Sequence, residues 1–354
     1  MKKIDEFDIK VIKLDKIPSV FKNVNLSAEV QIGSKIPAEE GVILVVQAEE
    51  SSGKKDVMEF VGGRLGTVLK GDIFAGVLGY RKALVEFAGV VPKKVQVGDE
   101  LYLLCESGVI GEICGVYESW GKPMELKILG AVVDKAGTPL NLNSFALPKI
   151  KSISKKIPII CFLATRMDSG KTMMACKVAH HFNQHGKKIV AIKPTGVSYL
   201  QDPYKLKDNG VEQVLDFTDM GLPSTCNGNT KLVINSAINL INHAKLLTPD
   251  LILVEFGEGI IGEYHVLDIL KHKPVKDQLS YVILAANDLT GILGAKEILK
   301  KCKLEIDLVT GPIVNSHLGV ELVKKYFQLE AESNLHEIPK TIAAINKKVF
   351  RKES

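Results

Sequence analysis

The apolar run Ile157-Pro-Ile-Ile-Cys-Phe-Leu163 leads directly into Ala164-Thr-Arg-Met-Asp-Ser-Gly-Lys-Thr172, and Met173-Met-Ala-Cys-Lys-Val-Ala179 follows with the character of a helix. A strand, a short loop and a helix opening on Gly-Lys-Thr leave little choice of local fold. The first amides of such a helix lack partners within it, and together with the helix dipole they attract phosphate oxygens. Lys171 is placed to neutralise charge there, and the Thr172 hydroxyl to sit on magnesium. A nucleoside triphosphate site is therefore expected. In the pattern G-x-x-x-x-G-K-[ST], Thr165 occupies the position of the first glycine and Ala164 precedes it.

The downstream chain repeats one design, a buried-type strand ending in polar residues. Gly186-Lys-Lys-Ile-Val-Ala-Ile-Lys193-Pro194-Thr-Gly places a lysine just past a strand, on the edge where parallel sheets bind ligands. Asp250-Leu-Ile-Leu-Val-Glu255-Phe-Gly-Glu-Gly259 places a carboxylate at a strand end, where it can hold magnesium or its waters. Two further strands are expected, Tyr281-Val-Ile-Leu-Ala-Ala286 before Asn287-Asp288, and Asp307-Leu-Val-Thr-Gly-Pro-Ile-Val-Asn315.

This ordered set resembles dethiobiotin synthetase and its relatives in the cobyrinic acid diamide synthase group of P-loop enzymes, over about Ile157 to Leu318. The family loop G-T-x-x-x-x-G-K-T is matched from Ala164-Thr165 to Gly170-Lys171-Thr172, with alanine for the leading glycine. Lys193-Pro194, Val254-Glu255 with Gly257 and Gly259, and Asn315 follow in the family's order, although Phe256 stands where the family has glycine. The resemblance implies ATP and Mg2+ as cofactors. The loop residues Thr165, Asp168, Ser169, Gly170, Lys171 and Thr172 would cradle the phosphates and Asn315 would touch the base. Lys171 and Lys193 would act on the transferring phosphoryl group, with Thr172 and Glu255 on the metal. A further acidic metal partner is implied, for which Asp216 and Asp219 are the candidates. Relatives are commonly homodimers with substrate at the subunit boundary.

At 354 residues, 46% hydrophobic and 25% charged, the chain is long enough for two ordinary domains. Residues 1–150 read as β-rich and barrel-like, with short apolar runs Gly41–Ala48, Glu100–Cys105 and Met124–Gly130. Turns are expected at Lys70-Gly-Asp72, Val97-Gly-Asp99 and Lys135-Ala-Gly137. Residues 157–354 read as a doubly wound, mostly parallel α/β P-loop domain. Between them Pro148-Lys-Ile-Lys-Ser-Ile-Ser-Lys-Lys156 reads as a solvated linker.

No apolar stretch reaches the roughly 18 residues of a membrane span, and the start mixes acids into what would be a signal peptide. Six cysteines without C-x-x-C spacing read as free thiols, so a cytoplasmic protein is expected. A net charge of +5, spread among acids, gives no nucleic-acid signature, and a small-molecule substrate fits better. The second Gly-Lys, in Ser51-Ser-Gly-Lys-Lys55, reads as a loop tip because no apolar helix follows. His181 and His185 lie one helical turn apart, but the glutamate of H-E-x-x-H is missing and a solvated helix end is expected. The segment after Val320 reads as a terminal helix packed on the sheet. An ATP- and Mg2+-dependent enzyme that activates a small carboxylate or carbamate by phosphorylation follows from these readings, with a small-molecule kinase or an ATP-sensing regulatory protein as alternatives.

Overall fold

The structure, a computed structural model that describes residues 9–50, 56–226 and 228–350, divides the chain into two units. The first comprises Met1–Pro148 with Val197–Gln201 and Phe217–Asn227, and the second Lys149–Gly196, Asp202–Asp216 and Gly228–Ser354. The Ser51–Lys55 loop tip lies outside the described residues.

In the first unit five strands pair in a closed ring: Ile43–Glu50 with Ile73–Leu78, then Val109–Val116, Glu100–Cys105 and Glu125–Val132, which returns to Ile43–Glu50. Closure follows from residue alternation. Leu44, Val46, Phe74, Leu78, Leu103, Ile110, Leu126 and Ile128 share one buried cluster, while the intervening Ile43, Val45, Ala75, Val77 and Val109 join a second with Val20 and Phe21. The three turns predicted at Lys70–Asp72, Val97–Asp99 and Lys135–Gly137 place their glycines at φ of 90°, 90° and 79°. That left-handed region is open to glycine and costly for most other residues.

The second unit is built on seven parallel strands: β1 (Ile159–Ala164), β2 (Ile189–Lys193), β3 (Gln213–Asp216), β4 (Leu251–Glu255), β5 (Tyr281–Ala285), β6 (Leu308–Thr310) and β7 (Glu330–Ala331). Their order in the sheet is β3-β2-β4-β1-β5-β6-β7. From β1 the chain moves towards one edge through β2 and β3, returns to β4 beside β1, and proceeds to the other edge. Every residue of β1, β2 and β4 is buried, which is why these segments are apolar throughout and do not alternate.

The helices are α1 (Lys171–Gln184), α2 (Gln201–Asp208), α3 (Thr230–Leu246), α4 (Val266–Lys271), α5 (Lys273–Lys276), α6 (Leu289–Lys301), α7 (His317–Phe327) and α8 (Pro339–Ile345). Met174, Ala175, Val178, Ala179 and Phe182 form the buried stripe of α1 against Ile160 and Phe162 of β1 and Leu251 and Leu253 of β4. Phe162 is fully buried, and its truncation to alanine would cost about 3–5 kcal/mol. Ile338, Ile342 and Ile345 of α8 enter the same cluster.

Two readings need correction. The strand predicted over 307–315 ends at Thr310, because Gly311 turns to φ 95° and Pro312, lacking an N–H, opens a 3-10 turn over Pro312–Val314. The helix expected to be terminal, α7, is followed by β7 and α8. The segment 148–156 is solvated as expected, with only Ile150 and Ile153 partly covered, and α3 tethers it there: Asn239 and Asn242 accept from the amides of Ile150 and Ile153 at 3.1 Å, and Lys245 donates to the Ile153 carbonyl at 3.3 Å. Asparagine, asparagine and lysine three apart present one helix face to the passing chain.

All six cysteines are free thiols, five of them buried. His181 and His185 stack at 4.2 Å, with His185 Nδ1 2.7 Å from the His181 carbonyl. No helix among the described residues is long and apolar enough to cross a membrane.

Candidate phosphate-binding site

The loop from Thr165 to Gly170 joins β1 to α1 and closes on Gly170, which caps the helix at φ 90° without a side-chain hydrogen bond. The first amides of α1 therefore have no side-chain cap, and none of them can pair within the helix. Asp168 is exposed and left-handed at φ 56°. Ser169 is buried; its hydroxyl donates to the Arg166 carbonyl at 2.8 Å and also meets Asn287 Oδ1. Thr165 donates its amide to Ala285 at 3.0 Å, and its hydroxyl is buried with no hydrogen-bond partner among the described residues.

Neighbouring segments crowd this loop and the chain just past β2, and glycines permit the approach. A Cβ on Gly259 would lie 2.8 Å from the Thr165 carbonyl oxygen, one on Gly257 2.4 Å from that of Thr195, and one on Gly311 2.6 Å from that of Ser169. Phe256, which follows Glu255, is buried.

At the mouth, Thr172 Oγ1 donates to Glu255 Oε1 at 2.6 Å and lies 3.4 Å from Asp202 Oδ1. Helix start and strand end meet because Glu255 is level with Phe162 in the register of β1 and β4. Lys171 is buried and donates to the Glu258 carbonyl at 3.2 Å. Glu258 takes φ 68°, a left-handed turn that a non-glycine residue holds only under local constraint. Burial lowers the Lys171 pKa, against the opposing charge of Glu255, with Lys193 lowering it further. An anion arriving there meets an under-compensated cation.

Lys193 is also buried, at the end of β2, with Asp216 its register partner on β3. Burial alone would lower its pKa; the charges of Asp202 and Glu255, the hydrogen bond to Asp202 and the charge of Asp216 outweigh that and raise it. Asp202, in the first turn of α2, forms the ion pair with Lys193, which holds its carboxyl below the usual range. Sequence reasoning missed Asp202. The available signal was an Asp-Pro pair opening a helix nine residues beyond the lysine.

Glu255 is 4% exposed, and its Oε2 has no hydrogen-bond partner among the described residues. Burial pushes its carboxyl up, Asp202 adds to this, and Lys193, Lys171 and the Thr172 hydroxyl work against it without cancelling it. A buried carboxylate oxygen without a donor, beside a threonine hydroxyl, fits a divalent cation that arrives with phosphates. The described residues contain no group of three His, Cys, Asp or Glu placed to hold a metal, so phosphate oxygens and water would complete its shell, as magnesium prefers.

Thus Lys171, Thr172, Glu255 and Lys193 converge, with Asp216 alongside. Asp219 does not join them: it belongs to the first unit, accepting from Asn23 at 2.8 Å and pairing with Lys22 at 3.2 Å. Asn315 is exposed at the end of the 3-10 turn, and its Oδ1 accepts from Ser333 at 2.8 Å. Asn334, next in the chain, is 3% exposed and donates Nδ2 to the Gly170 carbonyl at 2.8 Å.

No family model matches the chain, and no curated protein matches it. Among solved structures it is similar to the signal recognition particle receptor FtsY from Elizabethkingia anophelis in complex with GDP, at 16% identity and a TM-score of 0.38, covering 55% of this chain and 62% of that one. It is also similar to the nucleotide-binding protein in complex with ADP from Archaeoglobus fulgidus, at 12% identity and a TM-score of 0.37, over 55% of this chain and 88% of that one. A third is the ParA family ATPase from Chlorobium tepidum, at 16% identity and a TM-score of 0.33, over 55% and 90%. The chain spans about 60% of the length of the FtsY structure. None of the three is a dethiobiotin synthetase.

Proposed function

We propose that the second unit binds ATP with Mg2+ at the carboxyl ends of β1, β2 and β4, on a doubly wound sheet, and uses it to activate a small carboxylate or carbamate. The observation that carries this reading is the 2.6 Å contact of Thr172 with Glu255, a buried carboxylate with one oxygen unpartnered among the described residues, at a helix start that also bears Lys171. Lys171 and the free amides of α1 would hold the β- and γ-phosphates. Thr172 and Glu255, with Asp216 or Asp202 nearby, would hold Mg2+, which supplies charge neutralisation on phosphate oxygens.

In the proposed step a carboxylate oxygen of the substrate attacks the γ-phosphorus, the bond to the bridging oxygen breaks, and its electron pair leaves on ADP. Lys193 would stabilise the transferring group, and its pairing with Asp202 keeps it charged and aimed. The substrate-binding half of such a site, a homodimer, a cytoplasmic setting and kinship with dethiobiotin synthetase belong to the same proposal.

The test combines binding with trapping. Calorimetry should give Mg2+-dependent ATP binding that Lys171→Ala abolishes. ADP release stimulated by a panel of small carboxylic acids, with hydroxamate formed on adding hydroxylamine, would support an acyl phosphate. ATP binding without turnover under any acid or amine would leave sensing and remove the ligase.

A further inference from the structure

We propose that Asn334 is a positioning residue for triphosphate binding, one that sets the phosphate loop from the far end of the sheet. This rests on the nucleotide reading above. The residue lies in the short segment after β7, 164 positions from its partner, and donates Nδ2 to the Gly170 carbonyl at 2.8 Å.

Gly170 is the hinge of the phosphate loop. Its carbonyl also accepts the first bond of α1, from the Met174 amide at 3.2 Å. Because a peptide unit is rigid and planar, fixing the carbonyl of Gly170 fixes the N–H of Lys171 pointing the opposite way. Among the described residues that N–H meets no acceptor, as expected at a helix start, so Asn334 would aim a phosphate donor without touching the phosphate. The fit is tight: a Cβ on Gly170 would lie 2.4 Å from Asn334 Nδ2, and φ there is 90°.

The segment that carries Asn334 is itself anchored. Glu332 accepts from the Lys340 and Thr341 amides, at 3.1 and 2.7 Å, and from the Thr341 hydroxyl at 2.6 Å, which ties it to α8. Lys177 of α1 donates to the His336 carbonyl at 2.6 Å. Ser333 meanwhile donates to Asn315 at 2.8 Å. Adjacent side chains thus reach two places: Asn334 the phosphate end, Ser333 the residue proposed to read the base.

Calorimetry with ATP and with inorganic tripolyphosphate, each with Mg2+, separates these roles. Asn334→Ala should weaken both ligands by the same factor, about three- to tenfold, the effect of one hydrogen bond. Ser333→Ala should leave tripolyphosphate affinity unchanged. Asn334→Leu, which fills a similar space without the donor, should reproduce the loss and carries the test if the alanine variant does not unfold cooperatively. Unchanged tripolyphosphate affinity in folded Asn334 variants overturns the proposal, as does an equal loss in Ser333→Ala, which would mean that the segment only supports the fold. If the wild-type protein binds neither ligand, the nucleotide reading itself is wrong and this inference falls with it.

Discussion

Replacing Asp202 with asparagine tests the buried charges beside the phosphate loop. Lys193 is buried and its ammonium pairs with Asp202, whose side chain is 25% exposed. Removing one partner of a fully buried ion pair costs about 3–5 kcal/mol, because the other charge is stranded. Two features reduce that here: Asp202 is partly solvated, and Glu255 and Asp216 continue to favour charged Lys193. The expected loss is about 2 kcal/mol. With a urea slope of about 2 kcal/mol per molar, the unfolding midpoint falls by about 1 M. Far-ultraviolet circular dichroism is the appropriate probe, because the helical signal comes from the second unit while the single tryptophan, Trp120, lies in the first. Adding Lys193→Met removes the stranded charge and should restore more than half of the loss. The pH dependence has a definite sign. Lys193 holds Asp202 below its ordinary range, so its contribution is present above about pH 4 and fades as pH falls through the folded value. The difference between wild type and Asp202→Asn should therefore stay constant from about pH 6 to 8 and shrink in acid. An unchanged midpoint at neutral pH, or a double variant no more stable than the single one, would refute the reasoning.

Lys171→Met should abolish ATP binding while leaving ligand-free stability unchanged or higher, since burial already disfavours the charged lysine; a destabilised, still-binding variant would contradict this. Glu255→Gln should weaken the Mg2+ dependence of ATP binding more than binding in metal-free buffer, and a wild-type magnesium titration would make the carboxylate structural. In the first unit Glu59 is buried, accepting from Ser19, the Leu200 amide and Gln201, and burial nevertheless raises its pKa. Its stabilising contribution is therefore complete below about pH 4.3 and declines as pH rises through the folded value. Trp120 fluorescence should show that decline in wild type, measured against Glu59→Gln. Asn315→Ala should weaken ATP several-fold without affecting tripolyphosphate, and equal loss for both would assign Asn315 to the fold.

What could be read from the residues was whatever the chain encodes locally. β1, β4 and β5 were legible because buried parallel strands need unbroken apolar runs, and the turn at Gly170-Lys-Thr because its geometry is compressed into a few residues. β6 was overextended because an apolar run does not say where Gly311 and Pro312 stop the pairing. Asp202 was missed for a different reason. The chain between Lys193 and α2 is irregular, so no periodicity reports that it doubles back on the lysine. Asp219 is itself part of the first unit, where it meets Asn23 and Lys22. Asn334 and Asn287 are the extreme case, single polar residues whose meaning depends on contacts more than a hundred positions away, which no spacing rule reaches.

The bond between Asn334 and Gly170 also orders events in time. At synthesis rates of roughly 5–20 residues per second, the 164 positions between them take on the order of ten to thirty seconds to emerge. Throughout that interval β1, the loop and α1 exist without their last clamp, and the sheet lacks β5, β6 and β7 for much of it. Contacts of such long range form late because the chain must first close a large loop. A ribosome-bound chain would thus carry the Gly-Lys-Thr loop well before its last clamp is in place, and if the second unit binds a triphosphate as proposed, that ligand would stabilise the finished sheet and not its precursors.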